Sequence, residues 1–215
     1  SLVRTLTGNE CGGAADFNPA FGRGAEIRAY WNPVSGHETT AGVQFQQDEG
    51  STIYFGDHRG YFLAPFVQHE WKIRNNLRLS LGLRYDRYQL IGENREDLFS
   101  PRFGLNFQPW DKTFLRASAG SGFRAATMIE RFLELSIMNF HIIKNEDLQA
   151  ESSWAFDVGV HHYLTENWDI DISFFDNEYT NLIEAHLNLI RGFIQFRNIS
   201  DARIQGVEAT TSGSF

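Results

Sequence analysis

The feature that most constrains this chain is a two-residue alternation of apolar and polar side chains, held over long runs. Leu77, Leu79, Leu81, Leu83 and Tyr85 interleave with Arg78, Ser80, Gly82, Arg84 and Asp86. Phe103, Leu105 and Phe107 alternate with Arg102, Gly104, Asn106 and Gln108. Trp154, Phe156, Val158 and Val160 do so with Ala155, Asp157, Gly159 and His161, and Trp168, Ile170, Ile172 and Phe174 with Asp169, Asp171 and Ser173. Period two sends successive side chains to opposite faces, so each run is a strand with one apolar and one polar face. Soluble sandwiches alternate as well, but their strands average about five or six residues. These runs reach about ten or more, the length a tilted membrane-crossing strand needs.

The connections support the membrane reading. Residues 32–36, 74–76, 109–112, 165–167 and 199–202 are brief polar turns, whereas residues 48–60, 87–98, 124–150 and about 181–191 are long. Short turns on one side and long loops on the other are the habit of outer-membrane barrels, and a soluble meander has no reason to segregate them. Counting from Ala25 gives about ten antiparallel strands. The first two dozen residues, glycine-rich around Cys11 and through Phe21-Gly22-Arg23-Gly24, read as part of another long loop.

Composition enters as a set of exclusions. A formal net charge of -8 argues against nucleic acid, whose phosphates demand a basic surface. A mean hydropathy of -0.35 does not argue against a membrane, because a spanning barrel shows lipid only every second residue. No apolar run approaches the roughly 20 residues of a membrane helix. The opening Ser1-Leu2-Val3-Arg4 lacks the basic and apolar regions of a secretion leader, so either the protein is not exported or its N-terminus is missing. Cys11 has no internal partner and reads as an incidental surface thiol. Aromatics are 14% of the chain, and Trp71, Tyr85, Tyr88, Trp110, Trp154, Tyr163, Trp168 and Tyr179 fall near strand ends. Strands favour aromatics in any case, yet as a set this clustering fits rings at a membrane interface.

Several segments resemble one family. Phe66-Val67-Gln68-His69-Glu70-Trp71, Leu81-Gly82-Leu83-Arg84-Tyr85-Asp86 and Ser100-Pro101-Arg102-Phe103-Gly104 are similar to the barrel of TonB-dependent receptors. Gly122-Phe123-Arg124-Ala125 resembles that family's Gly-Phe-Arg-Ala-Pro, with Ala126 in place of the proline. Residues 145–151, Asn-Glu-Asp-Leu-Gln-Ala-Glu, resemble Asn-Pro-Asp-Leu-Lys-Pro-Glu without either proline, and Asn198 with Ala202-Arg203-Ile204-Gln205-Gly206-Val207-Glu208 is similar to a later return strand. The pieces run in the family's order from about Tyr61 to Glu208. The resemblance implies an all-β, antiparallel transmembrane barrel, here about ten strands of about 22. The whole chain, residues 1–215, is then a fragment of the barrel domain, without its plug and remaining strands, and Thr211-Ser212-Gly213-Ser214-Phe215 reads as a cut.

The same resemblance implies energy-dependent uptake of a scarce ligand, such as a siderophore, cobalamin or glycan, across the bacterial outer membrane. The implied partners are outer-membrane lipid, the protein's own plug domain, the TonB energy-coupling protein acting through that plug, and the small ligand. No cofactor is implied. A passive porin or an adhesin-type barrel is the alternative. Enzyme signatures are lacking: no Gly-x-Ser-x-Gly, phosphate-cradling loop or paired zinc spacing occurs. His161 and His162 are adjacent on a strand and so point apart. In the longest loop, Glu130, Arg131, Glu134, His141, Lys144 and Asp147 are candidates to face the ligand. Arg84, Asp86, Arg102 and Arg124 are candidates to face the lumen and plug. Pro101 is expected at the start of a strand, where it costs no ladder bond, and Gly82 and Gly206 are expected to permit close approach or curvature.

Overall fold

The computed structural model describes the backbone of residues 2–11, 20–54, 56–93, 95–137, 140–199 and 201–214, and their side chains from Gly22 onward except at 137 and 140. In chain order the elements are β1 (Leu2–Cys11), β2 (Ala20–Trp31), β3 (His37–Thr52), β4 (Gly56–Arg74), β5 (Leu77–Leu90), β6 (Glu96–Trp110) and β7 (Thr113–Arg124). A short helix α1 (Met128–Phe132) and strands β8 (Leu135–Ile137) and β9 (Phe140–Ile143) follow. The remaining strands are β10 (Glu151–Tyr163), β11 (Trp168–Thr180), β12 (Ile183–Asn188), β13 (Phe193–Asn198) and β14 (Asp201–Gly213).

Ten strands form one sheet, each paired antiparallel with the next in the order β1-β2-β3-β4-β5-β6-β7-β10-β11-β14. A second, four-stranded sheet has the order β12-β13-β9-β8. The long alternating runs are the cause of the first sheet, and its register carries them around the wall. One row of paired residues reads Trp71, Leu79, Leu105, Ala117, Val158, Phe174 and Val207 across seven strands. The row beside it, on the other face, reads Glu70, Ser80, Gly104, Ser118, Asp157, Phe175 and Gly206. Trp71 lies near the end of β4 while Val207 lies midway along β14. The row therefore climbs as it crosses the sheet, which is the stagger of tilted barrel strands.

The apolar face is the convex one. On the polar face, side chains two strands apart meet: Arg84 on β5 donates to Gln44 on β3 at 2.8 Å, and Arg116 on β7 to Asp171 on β11 at 2.6 and 2.7 Å. An open trough on that side is lined by residues from β2 through β7, from Glu26 and Arg28 to Ser121 and Gly122. Ile27, Val43, Val67, Leu83, Phe103, Val158, Phe174 and Val207 are all exposed on the outside. A row of exposed apolar side chains shared by neighbouring strands is what a lipid-facing barrel wall presents. Trp31, Trp71, Trp110 and Trp168 stand at the short-turn ends of β2, β4, β6 and β11, and Trp154 with Tyr85 nearer the other end. Ten residues separate Trp168 from Glu178, the partner of Trp154. At ~3.3 Å per residue and a tilt near 45° that is about 23 Å, close to the roughly 25 Å apolar band of such barrels.

Three prolines stand inside strands, each where a ladder is interrupted. Pro101 is not at the start of its strand, as expected, but within β6; the β6–β7 pairing begins only after it, at Arg102. Pro65 falls in the gap between Leu63 and Phe66 of the β4–β5 ladder, and Pro109 in the shift between Phe107 and Trp110. A residue with no N–H is tolerated where no ladder bond is made. Gly206 does make room: a Cβ there would lie 2.7 Å from the Phe175 ring, so the aromatic covers the bare backbone. Gly82 meets nothing closer than 3.5 Å, so the tight approach expected there is absent.

Other expectations are corrected by the strand ends. Residues 2–11 and 20–31 are strands, not a loop, and β1 brings the wall to ten. The expected long loops at 48–60 and 87–98 are mostly strand: β3 and β4 run on to Thr52 and from Gly56, and β5 and β6 to Leu90 and from Glu96. Residues 199–202 do not form a short-side turn. Asp201 pairs with Thr180 at the long-loop end, so β12 and β13 are a single excursion outside the wall. Tyr88 is buried on the polar side and Tyr163 and Tyr179 share that face, which leaves the girdle mainly to tryptophan. Cys11 ends β1, and its side chain lies outside the described residues.

Candidate functional site

Long excursions fold back on themselves at the end opposite the short turns. Residues 125–150 carry α1, β8 and β9, and residues 181–200 carry the β12–β13 hairpin; β13 joins β9 in parallel, through Phe193 with His141 and Gln195 with Ile143. Two small apolar clusters of the described residues are here. Tyr88, Leu90 and Phe132 bury together beneath Phe62, Phe123, Ala125 and Met128, and Ala126, Leu148 and Ile183 bury against Phe196. What sequence presents as loose loops is thus a packed platform over the rim of the wall.

Polar residues fasten the platform to the strands. Arg124, the last residue of β7, donates through Nε to Glu151 Oε2 at 2.6 Å and also through Nη2, and its Nη1 reaches Glu130 Oε2 at 2.9 Å. Glu151 in turn accepts from the Ile183 N–H at 2.7 Å. Glu130 is the N3 residue of a capping box with Thr127, which starts α1 despite its few residues. Burial raises the Glu130 carboxyl, but the bonds from Arg124 and Thr127 outweigh that and hold its pKa below the usual carboxylate range. Asn198 clasps residue 149 from both sides, accepting from Gln149 N at 2.9 Å and donating to Gln149 O at 2.9 Å. Asn145 Nδ2 donates to Phe196 O at 2.8 Å. The segments that carry the family resemblance therefore include the clamps: Arg124, Asn145, Glu151 and Asn198.

The six loop candidates occupy different surroundings. Arg131 is 5% exposed, ion-paired with Glu96 at the top of β6, and reaches Glu146 O at 3.4 Å; it is a buried brace. Glu130 is half-spent on Arg124 and the cap. Glu134, His141, Lys144 and Asp147 are exposed. His141 Nδ1 lies 2.9 Å from Ser136 Oγ on β8, and Lys144 pairs with Glu146 at 2.6 Å. That pairing raises the ammonium's pKa and lowers the carboxyl's. Glu134 and Lys144 share a cleft with Tyr54, His58, Phe132 and Glu146, in which the His58 ring stacks on Phe132 at 3.7 Å. Tyr54, His58 and Glu146 were not expected there. The first two come from the β3–β4 tip, a segment with no sequence cue linking it to residues 132–146.

On the concave face, Arg84 is bonded to Asp86 at 2.7 Å as well as to Gln44, and lies 5.5 Å from the Phe62 ring. Asp86 is buried and also accepts from Ser100 at 3.2 Å. Arg102 is exposed on the same face. Arg124 is at the outer rim, engaged as described. The four do not form one cluster. A further group, not expected, is Arg116 with Asp171, Asp157 and His161, nearer the short turns. No three or more His, Cys, Asp or Glu among the described residues are placed to hold a metal ion together.

A convex apolar belt, a concave polar face and a folded platform at one end define part of the wall of an antiparallel β-barrel of the outer-membrane type. Its family follows from comparison: residues 6–215 match the family model of the TonB dependent receptor-like β-barrel, and the chain belongs to that family. The match begins well before Tyr61, where the motif resemblance starts. Among curated relatives, the vitamin B12 transporter BtuB of Vibrio vulnificus is 26% identical over 185 residues, covering 83% of this chain and 28% of its own. The probable hemoglobin and hemoglobin-haptoglobin-binding protein 3 of Haemophilus influenzae is 30% identical over 119 residues, 51% of this chain and 11% of its own. The siderophore receptor PirA of Acinetobacter baumannii superposes with a TM-score of 0.73 at 16% identity, covering 92% of this chain and 34% of that one. The chain thus spans less than a third of the length of the curated relatives it matches.

Proposed function

We propose that this chain is a segment of the wall and outer platform of a bacterial outer-membrane receptor that imports a scarce ligand by an energy-dependent mechanism. The observation that carries the reading is the pairing of a lipid-type belt outside with a charged, concave face inside. In this reading the remaining strands close the barrel, a plug domain fills it, and the TonB energy-coupling protein acts on the plug. No covalent chemistry is assigned to the wall. Arg102, exposed on the concave face, is free to meet a plug carboxylate; Arg84 is already neutralised by Asp86 and serves the wall first.

The ligand-facing surface is assigned to the platform, with Glu134, His141, Lys144 and Asp147 as its exposed polar groups and Glu130 and Arg131 as the braces behind them. The relatives' names span hemoglobin, vitamin B12 and ferric enterobactin, and a shared fold does not choose among such ligands. Growth on a panel of iron chelates, cobalamin and glycans, in a host with and without the coupling protein, tests the reading. It predicts uptake of one class that is abolished without the coupling protein, and near silence in planar bilayers. Uptake independent of the coupling protein, together with large steady conductance, would mean a passive porin instead.

A further inference from the structure

The convex face carries a group that the uptake reading does not use. At the short-turn end of β3 and β4, His37 Nδ1 and His69 Nε2 lie 3.2 Å apart. The ladder pairs His37 with Trp71 and Thr39 with His69, so the two histidines are diagonal neighbours on the outer face. Both rings are partly exposed. Each is held: the far nitrogen of His69, Nδ1, is 2.9 Å from Thr39 Oγ1, and the His37 ring stacks on Trp71 at 5.4 Å and 23°.

We propose that His37 and His69 form a two-imidazole chelate for a divalent transition metal ion of the zinc or copper class at the membrane rim. The two facing nitrogens are of the type such ions prefer. With metal–nitrogen bonds of about 2.0–2.1 Å, a 3.2 Å separation corresponds to an angle of roughly 103° at the metal, near tetrahedral. A bound ion would replace the hydrogen bond between the two rings, with His37 Nδ1 and His69 Nε2 both deprotonated toward it. Thr39 supplies what a metal-binding histidine needs from its far side: a hydrogen bond from Nδ1–H to the threonine oxygen fixes the tautomer that leaves Nε2 free. Trp71 restrains the plane of the other ring. Because only two protein donors converge, the remaining positions belong to water or other small donors. The site lies at the opposite end from the ligand-facing platform and does not depend on the identity of the imported ligand.

The test uses the intact protein in detergent without a polyhistidine tag, titrated with Zn²⁺ by calorimetry and with Cu²⁺ followed by electron paramagnetic resonance. Wild type is expected to bind one ion with a spectrum showing two coordinated nitrogens. H37Q and H69Q, which keep side-chain size, should each lose that two-nitrogen spectrum, whereas H186Q, on β12, should retain it. Thr39→Val should weaken Zn²⁺ binding by about tenfold or more. An identical two-nitrogen spectrum in H37Q and H69Q, or no binding by wild type, would leave the pair as a hydrogen bond alone and overturn the proposal.

Discussion

Glu151→Ala should loosen the outer platform while leaving the wall intact. Glu151 is buried at the start of β10 and makes two kinds of contact. Its Oε1 takes the Ile183 N–H at 2.7 Å, and Ile183 is itself buried, so removing the carboxylate strands a donor out of reach of water. Leaving a buried donor unsatisfied costs about 1–3 kcal/mol. The second contact is the fork from Arg124, whose side chain is 42% exposed and keeps Glu130 as an alternative partner. Solvent screening and that remaining partner hold its loss to about 0.5–1 kcal/mol. Together these give about 1.5–4 kcal/mol, or roughly a 12- to 700-fold rise in the opening of β12 and β13. Hydrogen exchange on the intact protein in lipid measures it directly. Amides of residues 183–198 should exchange faster by that factor, while those of β5 and β6 stay unchanged. Unaltered exchange at 183–198 would refute the clamp, and equal acceleration in β5 would show that platform and wall are one cooperative unit.

A charge on the convex face tests the belt: Val158→Arg should cost about 2–4 kcal/mol if the residue sits near the bilayer midplane, measured by reversible denaturant unfolding from vesicles. Gly206→Val puts a Cβ against the Phe175 ring and should cost about 1–3 kcal/mol by overpacking in the same assay, with Phe175→Ala in the double variant restoring part of it. Acid should also loosen α1. The Glu130 carboxyl has a lowered pKa in the folded platform, so its stabilisation is complete above the unfolded value of about 4.3 and is lost as pH falls through the lower folded value. Amide exchange at residues 128–132, corrected for intrinsic rates, should rise below about pH 4 in wild type and show a much smaller pH dependence in Glu130→Gln.

The wall was legible because its cause is local. Leu77 to Tyr85 fixes the faces of β5 without reference to any other strand, and the turns at residues 75–76 and 111–112 are set by short polar segments. Strand ends were less so. Polar residues such as Asp48 and Glu49 read as loop, yet they continue β3, because ladder pairing with Gly60 and Arg59 of β4 carries the strand past the apolar belt. Platform residues were the least accessible. The β13–β9 pairing joins segments some fifty positions apart in parallel, and no periodicity in Phe140–Ile143 announces its partner. Arg131 illustrates the cost: a charge in a long loop reads as a surface group, and only the packing of α1 over β6 shows it buried against Glu96. Asn198 and Glu151 were visible as family motifs, but their work as clamps depends on contacts that span the second sheet.

Odd-numbered residues of β5 should face lipid and even-numbered ones a polar interior. Nitroxide labels placed singly at residues 79 to 84 of the intact protein in lipid vesicles, read by power saturation with oxygen and a water-soluble nickel chelate, test it directly. The structure predicts a two-residue alternation, with oxygen dominant at 79, 81 and 83 and a polar, packed or wet signature at 80, 82 and 84. Uniform access of the nickel chelate at all six positions would contradict a membrane-spanning wall.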